Sequence, residues 1–119
     1  MPEERIYDLE ARTERFSLRV RDFCLELRVD VFNRVYISQV LRSAGSVAAN
    51  YIEANDNLGD KDLKHKIKIC KKESKETKLW MKHLLVYDRI ELEDERQTLI
   101  QESGELMKIF AAILRKLGG

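Results

Sequence analysis

The chain has one proline, at position 2, and five glycines in 119 residues. Nothing in its interior forces a helix to stop, so long helices are the expected elements. Strand-like alternation of apolar and polar residues is also absent. The two cysteines, Cys24 and Cys70, have no C-x-x-C spacing. Each sits in a helical pattern among apolar neighbours, and both read as buried free thiols of a reducing compartment. The two histidines, His65 and His83, lack a glutamate three positions earlier, so the paired Glu-x-x-His motif of a di-metal bundle is missing. No metal and no cofactor are expected. No apolar run approaches the roughly 20 residues of a membrane span. The opening "MPEERIYDLE" is acidic and lacks an apolar core, so it does not read as a signal peptide. The expected setting is the cytoplasm, away from membranes. The short "NLGD" is no phosphate loop, and no Ser, Cys or His stands in a recognised activating context. The expectation is a protein without catalytic residues.

Charge of one sign is missing overall: 22 basic residues face 21 acidic ones, a net charge of +1. Its distribution is uneven. Residues 1–57 carry 8 basic and 10 acidic groups, residues 58–83 carry 9 and 4, and residues 84–119 carry 5 and 7. Positive charge is concentrated in one segment.

What the sequence does have is helical period. A first segment, from about Asp8 or Thr13 to Arg28, repeats Phe16, Val20, Phe23 and Leu27, with Thr13 as a candidate N-cap. A second, about 32–54, repeats Ile37, Leu41, Ala44, Ala48 and Tyr51. Small residues crowd its middle, and Gly45, costly mid-helix by about 1 kcal/mol, points to tight packing there. The loop "ANDNLGD", 54–60, precedes a third segment, about 60–87, which Gly59 or Asp60 can cap. The turn "DRIELED", 88–94, leads to a fourth, about 95–116, lined by Leu99, Leu106, Phe110 and Ile113, with Leu117 beyond. Four such helices on short loops predict one all-α domain over residues 1–119, an antiparallel up-down-up-down four-helix bundle.

Two constellations stand out. Lys61, Lys64, Lys68, Lys71, Lys75, Lys78 and Lys82 are spaced alternately by three and four. They share an arc of roughly 100° over roughly 32 Å of helix, which suits tracking of a phosphate backbone. The competing reading is a solvated face: Glu73 and Glu76 lie on the same helix, and no aromatic residues interleave the row. The second constellation is a polar seam, Arg42, Ser46, Asn50 and Glu53, beside the apolar stripe of the second segment. Buried charge needs a partner, and Glu73, Glu76 and Glu102 are the candidates for Arg42, forming a structural network. Trp80, Tyr87, Tyr51 and Phe110 read as packing aromatics, with Trp80 also able to anchor a subunit contact.

The stretch "QVLRSAGSVAANYIEAN", 39–55, resembles the signature of the family of the 23S rRNA intervening-sequence protein, also called the S23 ribosomal protein family. Gln39, Arg42, Ser46, Asn50 and Glu53 match it. "DLKHKIKICKKESKETKLWMKHL" resembles the family's third helix, with Glu76 at its characteristic glutamate. "LIQESGELMKI" resembles the last helix of one bacterial branch, through Glu102 and Glu105. Ala54 stands where the family often has Gly, so the helix is expected to run slightly further. Lys71 and Lys72 stand where many relatives have Gly-Ser. The resemblance implies a left-handed antiparallel bundle and a ring-like homo-oligomer, a pentamer in known relatives. It implies no reaction. One related group is the accessory protein of diversity-generating retroelements, in which a basic bundle associates with a reverse transcriptase and nucleic acid.

These observations converge on a non-catalytic, homo-oligomeric interaction module. It is expected to act as an accessory that binds RNA or DNA backbone through the lysine face. The alternative is a protein-only assembly module whose lysines are solvated or meet an acidic protein partner.

Overall fold

The computed structural model describes residues 8–56 and 59–118. The N-terminal acidic segment with Pro2, positions 57–58 of the "ANDNLGD" loop and the final glycine lie outside them. Four helices follow in order: α1 (Leu9–Leu25), α2 (Val31–Asp56), α3 (Asp60–His83) and α4 (Glu91–Lys116). Each packs on its neighbours in the chain, and α4 returns to α1, closing the ring of a body 47 × 30 × 19 Å. Cross-helix pairs set the directions. Arg12 meets Glu102 and Arg19 meets Glu95 across α1 and α4. Thr77 meets Ser43 and Lys66 meets Glu53 across α2 and α3, so both pairings are antiparallel.

The core holds Phe16, Val20 and Phe23 of α1, Val40, Val47 and Tyr51 of α2, Ile67, Cys70 and Met81 of α3, and Leu99, Leu106 and Phe110 of α4. The expected stripe of α1 is the buried one; in α4 Leu99, Leu106 and Phe110 are buried as expected, but Leu114 takes the inward place while Ile113 and Leu117 are only partly buried. In α2 the expected Ala44, Ala48 and Tyr51 are buried and Ile37 packs against the core, but Leu41 is exposed, and Val40 and Val47 are sealed as well. Ser43, Ala44 and Ala48 face inward and let α3 come close enough for the Cys70 thiol to reach the Val47 carbonyl at 3.6 Å. Gly45 is not at that contact. It faces outward, and a Cβ there would meet nothing within 4 Å.

The ends of the helices also depart from expectation. Thr13 is fully buried inside α1, its hydroxyl donating to the Glu10 carbonyl at 3.0 Å, so it is no N-cap. Asp30 caps α2, its Oδ1 accepting from the backbone N–H of Phe32 and of Asn33 at 3.1 and 2.8 Å. Glu91, Glu93 and Asp94 in the first turn of α4 favour its positive end, so the helix starts at 91 rather than 95. α3 ends at His83 rather than 87. Leu84 is extended, at ψ 137°, and Tyr87 is left-handed, at φ 55°. A tyrosine there is uncommon and needs support. Its hydroxyl bonds the Asp30 carboxylate, and the Arg28 guanidinium lies 3.9 Å over its ring. From α4, Arg96 donates to the Met81 and Lys82 carbonyls at 3.1 and 3.2 Å, placing positive charge at the C-terminus of α3.

A ladder of arginine–glutamate pairs seals α1 against α4. Arg12 grips Glu102 with two bonds of 2.7 and 2.8 Å. Arg19 grips Glu95 at 3.2 and 2.7 Å, and Arg89 reaches the Glu26 carboxylate at 3.3 Å. Arg12, Arg19 and Glu26, the last at the C-cap of α1, recur every seven residues, two turns of helix, so they stack along one edge.

Candidate nucleic-acid interface

Ile67, Cys70, Ser74, Thr77 and Met81 turn α3 toward the core. That orientation decides where its lysines go. Lys61, Lys68, Lys71, Lys75 and Lys82 are exposed. Lys64 and Lys78 sit on the flank toward α4 and are half-buried. Their Nζ atoms lie 3.9 and 3.5 Å from where a Cβ on Gly118 and on Gly104 would stand. Lys72, outside the regular row, is exposed, and so are His65 and His83. The outward surface of α3 is thus a ridge of six exposed lysines: five members of the expected row together with Lys72. The strict spacing hid Lys72, because it selected residues sharing an arc without fixing where that arc points.

The two basic residue types are used differently. Among the described residues, seven arginines pair with carboxylates: Arg12, Arg19, Arg21, Arg28, Arg42, Arg89 and Arg96. One lysine does so, Lys66, whose ammonium lies 2.7 Å from Glu53. Arginine presents a fixed fork that suits holding a fold together; lysine keeps a mobile point charge. Within the described residues, the lysines of the ridge hold no such partner.

The polar seam resolves into separate contacts rather than one buried network. Arg42 stays inside the chain and bridges α2 to α3, donating to Glu73 and to Glu76 at 2.9 Å each. Its side chain is half exposed, while that of Glu73 is only 7% exposed. One Glu73 oxygen takes the Arg42 bond; the other has no protein partner. The two carboxylates raise the Arg42 pKa, chiefly through the hydrogen bond to Glu73. Ser46 and Asn50 serve each other along α2, the Asn50 amide donating to the Ser46 carbonyl and hydroxyl at 2.9 and 3.0 Å. Glu53 is exposed and holds Lys66. Glu102 belongs to Arg12 across α1 and α4, not to Arg42. The candidate acids for Arg42 lay on α3 and α4, and only the ring order of the helices, in which α2 packs on α3 and not on α4, separates them. Glu102 with Glu105 raises the Arg12 pKa, the Glu102 hydrogen bond contributing most.

Beside the ridge, at the end of α3, three rings meet. Tyr36 and Trp80 stack with centroids 6.0 Å apart, and His83 stands 5.3 Å from Tyr36 and 5.5 Å from Trp80. Tyr36 was absent from the sequence reading. It is one turn before Val40, so its ring reaches over the α2–α3 seam. Tyr51 and Phe110 pack inside at 6.0 Å.

The remaining surface offers little for chemistry. A cavity of 260 Å³ is lined by Arg12, Arg15, Phe16, Arg19 and Glu102, and its paired charges already satisfy one another. Another, of 290 Å³, lies between the α1–α2 and α3–α4 loops. Burial pushes the thiols of Cys24 and Cys70 up to about 12, leaving both protonated near neutral pH. Among the described residues no helix is long and apolar enough to cross a membrane, and no three His, Cys, Asp or Glu are grouped to hold a metal ion.

Comparison with known proteins adds a family. The model described as 23S rRNA-intervening sequence protein matches residues 7–112. A solved structure from Bacteroides thetaiotaomicron, a protein of unknown function from the S23 ribosomal protein family, is similar in fold, with a TM-score of 0.70 and 24% identity. The likeness covers 88% of this chain and 96% of that one. No curated protein matches the chain.

Proposed function

The chain belongs to the 23S rRNA-intervening sequence protein family, and from that premise we propose that it is a non-catalytic accessory protein that binds RNA or DNA backbone through the lysine ridge of α3. The observation that carries this reading is the division of labour among the basic residues. Seven of the ten described arginines, all but Arg15, Arg34 and Arg115, are held by carboxylates, whereas Lys61, Lys68, Lys71, Lys72, Lys75 and Lys82 stay exposed and without carboxylate partners among the described residues. About six phosphate contacts along roughly 32 Å of helix suit a single strand of backbone. The family description, with its reference to 23S rRNA, is a nucleic-acid context in keeping with that chemistry. Such binding is electrostatic and poor in sequence information.

The test is fluorescence anisotropy of labelled single-stranded RNA, duplex RNA and duplex DNA. Six contacts predict roughly a thousandfold loss of affinity between about 50 and 200 mM salt. An absence of binding at the lower salt would make the ridge a solvated face and leave an assembly module that meets proteins only.

Assembly with copies of itself is the second part of the proposal. Leu25, Val29, Val31, Phe32 and Ile90 are each more than half exposed, and all belong to the end of the bundle where the α1–α2 and α3–α4 loops meet. Large exposed apolar patches on soluble proteins mark contact sites. A second copy is the occupant, and because the family resemblance makes a ring of five the expected count, it meets this apolar end with a different face of its own, as a closed ring requires. Ile90→Asp combined with Leu25→Glu is expected to lower the mass measured by light scattering to that of a single chain, with unchanged helix content. An unchanged mass would exclude this end as the contact.

A further inference from the structure

We propose that the ridge prefers single-stranded nucleic acid, because the Tyr36–Trp80–His83 ring cluster at its end takes an unstacked base. This rests on the backbone-binding reading above and names the form of nucleic acid that it fits.

Three observations carry it. The rings are mutually packed at 5.3–6.0 Å, and they stand at the surface, with Tyr36 and Trp80 half-buried and His83 exposed. The orientation of His83 is fixed, because its Nδ1 donates to the Leu79 carbonyl at 2.9 Å. A ring held in place loses little freedom when a base lies on it. Finally, the cluster joins the lysines directly. Lys82 precedes His83, Lys75 lies about 12 Å back along the axis, and exposed Leu79 stands between them as an apolar ledge.

Single-strand binding combines a cationic track for phosphates with aromatic faces for bases, and every base has such a face. In a duplex those faces are stacked on neighbouring bases, and exposing one has a cost. A duplex therefore gains only from the lysines. A strand with free bases gains from the lysines and the rings. The His83 ring suffices for the outer layer of such a stack, since histidine is among the side chains on which bases stack.

Trp80 is the only tryptophan, so its emission reports on the cluster alone. The experiment titrates the protein with short oligo(dT), oligo(U) and a DNA duplex at about 50 mM salt, following probe anisotropy and tryptophan emission together. Both single strands are expected to quench Trp80 and to bind about tenfold more tightly than the duplex, as one stacked base allows. His83→Ala is expected to remove that preference while leaving duplex binding unchanged, and His83→Phe to restore it. Because His83 is exposed, neither variant threatens the fold. Equal affinity for duplex and single strands, or single-strand binding with unchanged emission, would overturn the stacking and leave the backbone reading intact. No binding by any probe would overturn both.

Discussion

Replacing Asn33 by alanine is expected to cost about 3 kcal/mol of stability, more than any surface substitution in the bundle. Asn33 is fully buried at the start of α2. Its amide nitrogen donates to the Arg28 carbonyl at 2.8 Å and the Leu85 carbonyl at 2.9 Å, and its amide oxygen accepts from the Leu85 N–H at 3.0 Å. One side chain thereby ties the α1–α2 connection to the α3–α4 connection. Alanine leaves three backbone groups without that partner, and each buried one costs about 1–3 kcal/mol. Aspartate keeps the shape but loses the donors and turns an acceptor toward two carbonyls, so it is expected to be no better. Urea unfolding of the two variants measures the loss. A change below about 1 kcal/mol would mean that water replaces the amide and that the loops are joined by other contacts. Both connections are then expected to loosen together, because Tyr87, Asp30 and Arg28 sit on the same junction.

Asn33 also marks the limit of what the sequence discloses. Its local role is readable: an asparagine three residues after an aspartate belongs to a turn or a helix start. Its partner, Leu85, is 52 residues away, and no periodicity links the two. The same division runs through the molecule. Periods of three and four disclosed the four helices, the stripe of α1 and the Leu99, Leu106 and Phe110 part of that of α4, because those follow from one helix at a time. In α2 the period disclosed Ala44, Ala48 and Tyr51 but chose Leu41 over β-branched Val40 on the adjacent arc, and only packing decides between those two. Gly45 suggested a close neighbour inside the bundle; the structure turns it outward. Arg12 and Arg19 are seven residues apart, as are Glu95 and Glu102, yet pairing them requires knowing that α1 and α4 are adjacent and antiparallel, and Glu102 reads from the sequence as a candidate for Arg42 instead. Arg42 was readable as a charge beside an apolar stripe, whereas its sharing between Glu73 and Glu76 depends on the depth of α3 against α2.

The largest functional effect is expected from removing Lys68, Lys71 and Lys75 together. All three are exposed near the middle of the ridge, so their loss leaves the bundle within about 0.5 kcal/mol per site of its original stability. On duplex DNA each phosphate contact contributes a slope of about −0.9 to the dependence of log affinity on log salt. Six contacts give a slope near −5.4, and the triple alanine variant is expected to fall to about −2.7. At about 50 mM salt that difference corresponds to roughly a thousandfold weaker binding, and charge reversal to glutamate is expected to abolish binding altogether. Lys66→Gln is the control, because its ammonium is already held by Glu53 at 2.7 Å and lies away from the exposed ridge. Little change is expected there. The comparison separates a contact surface from general attraction to positive charge: net charge would make every lysine equivalent, whereas a surface makes the exposed, unpaired ones dominate. Equal losses in the control and the triple variant, scaled to the charge removed, would therefore refute the ridge as a site even if binding itself were strong. A halved salt slope confined to the triple variant would fix both the number of phosphates contacted and the face of α3 that contacts them.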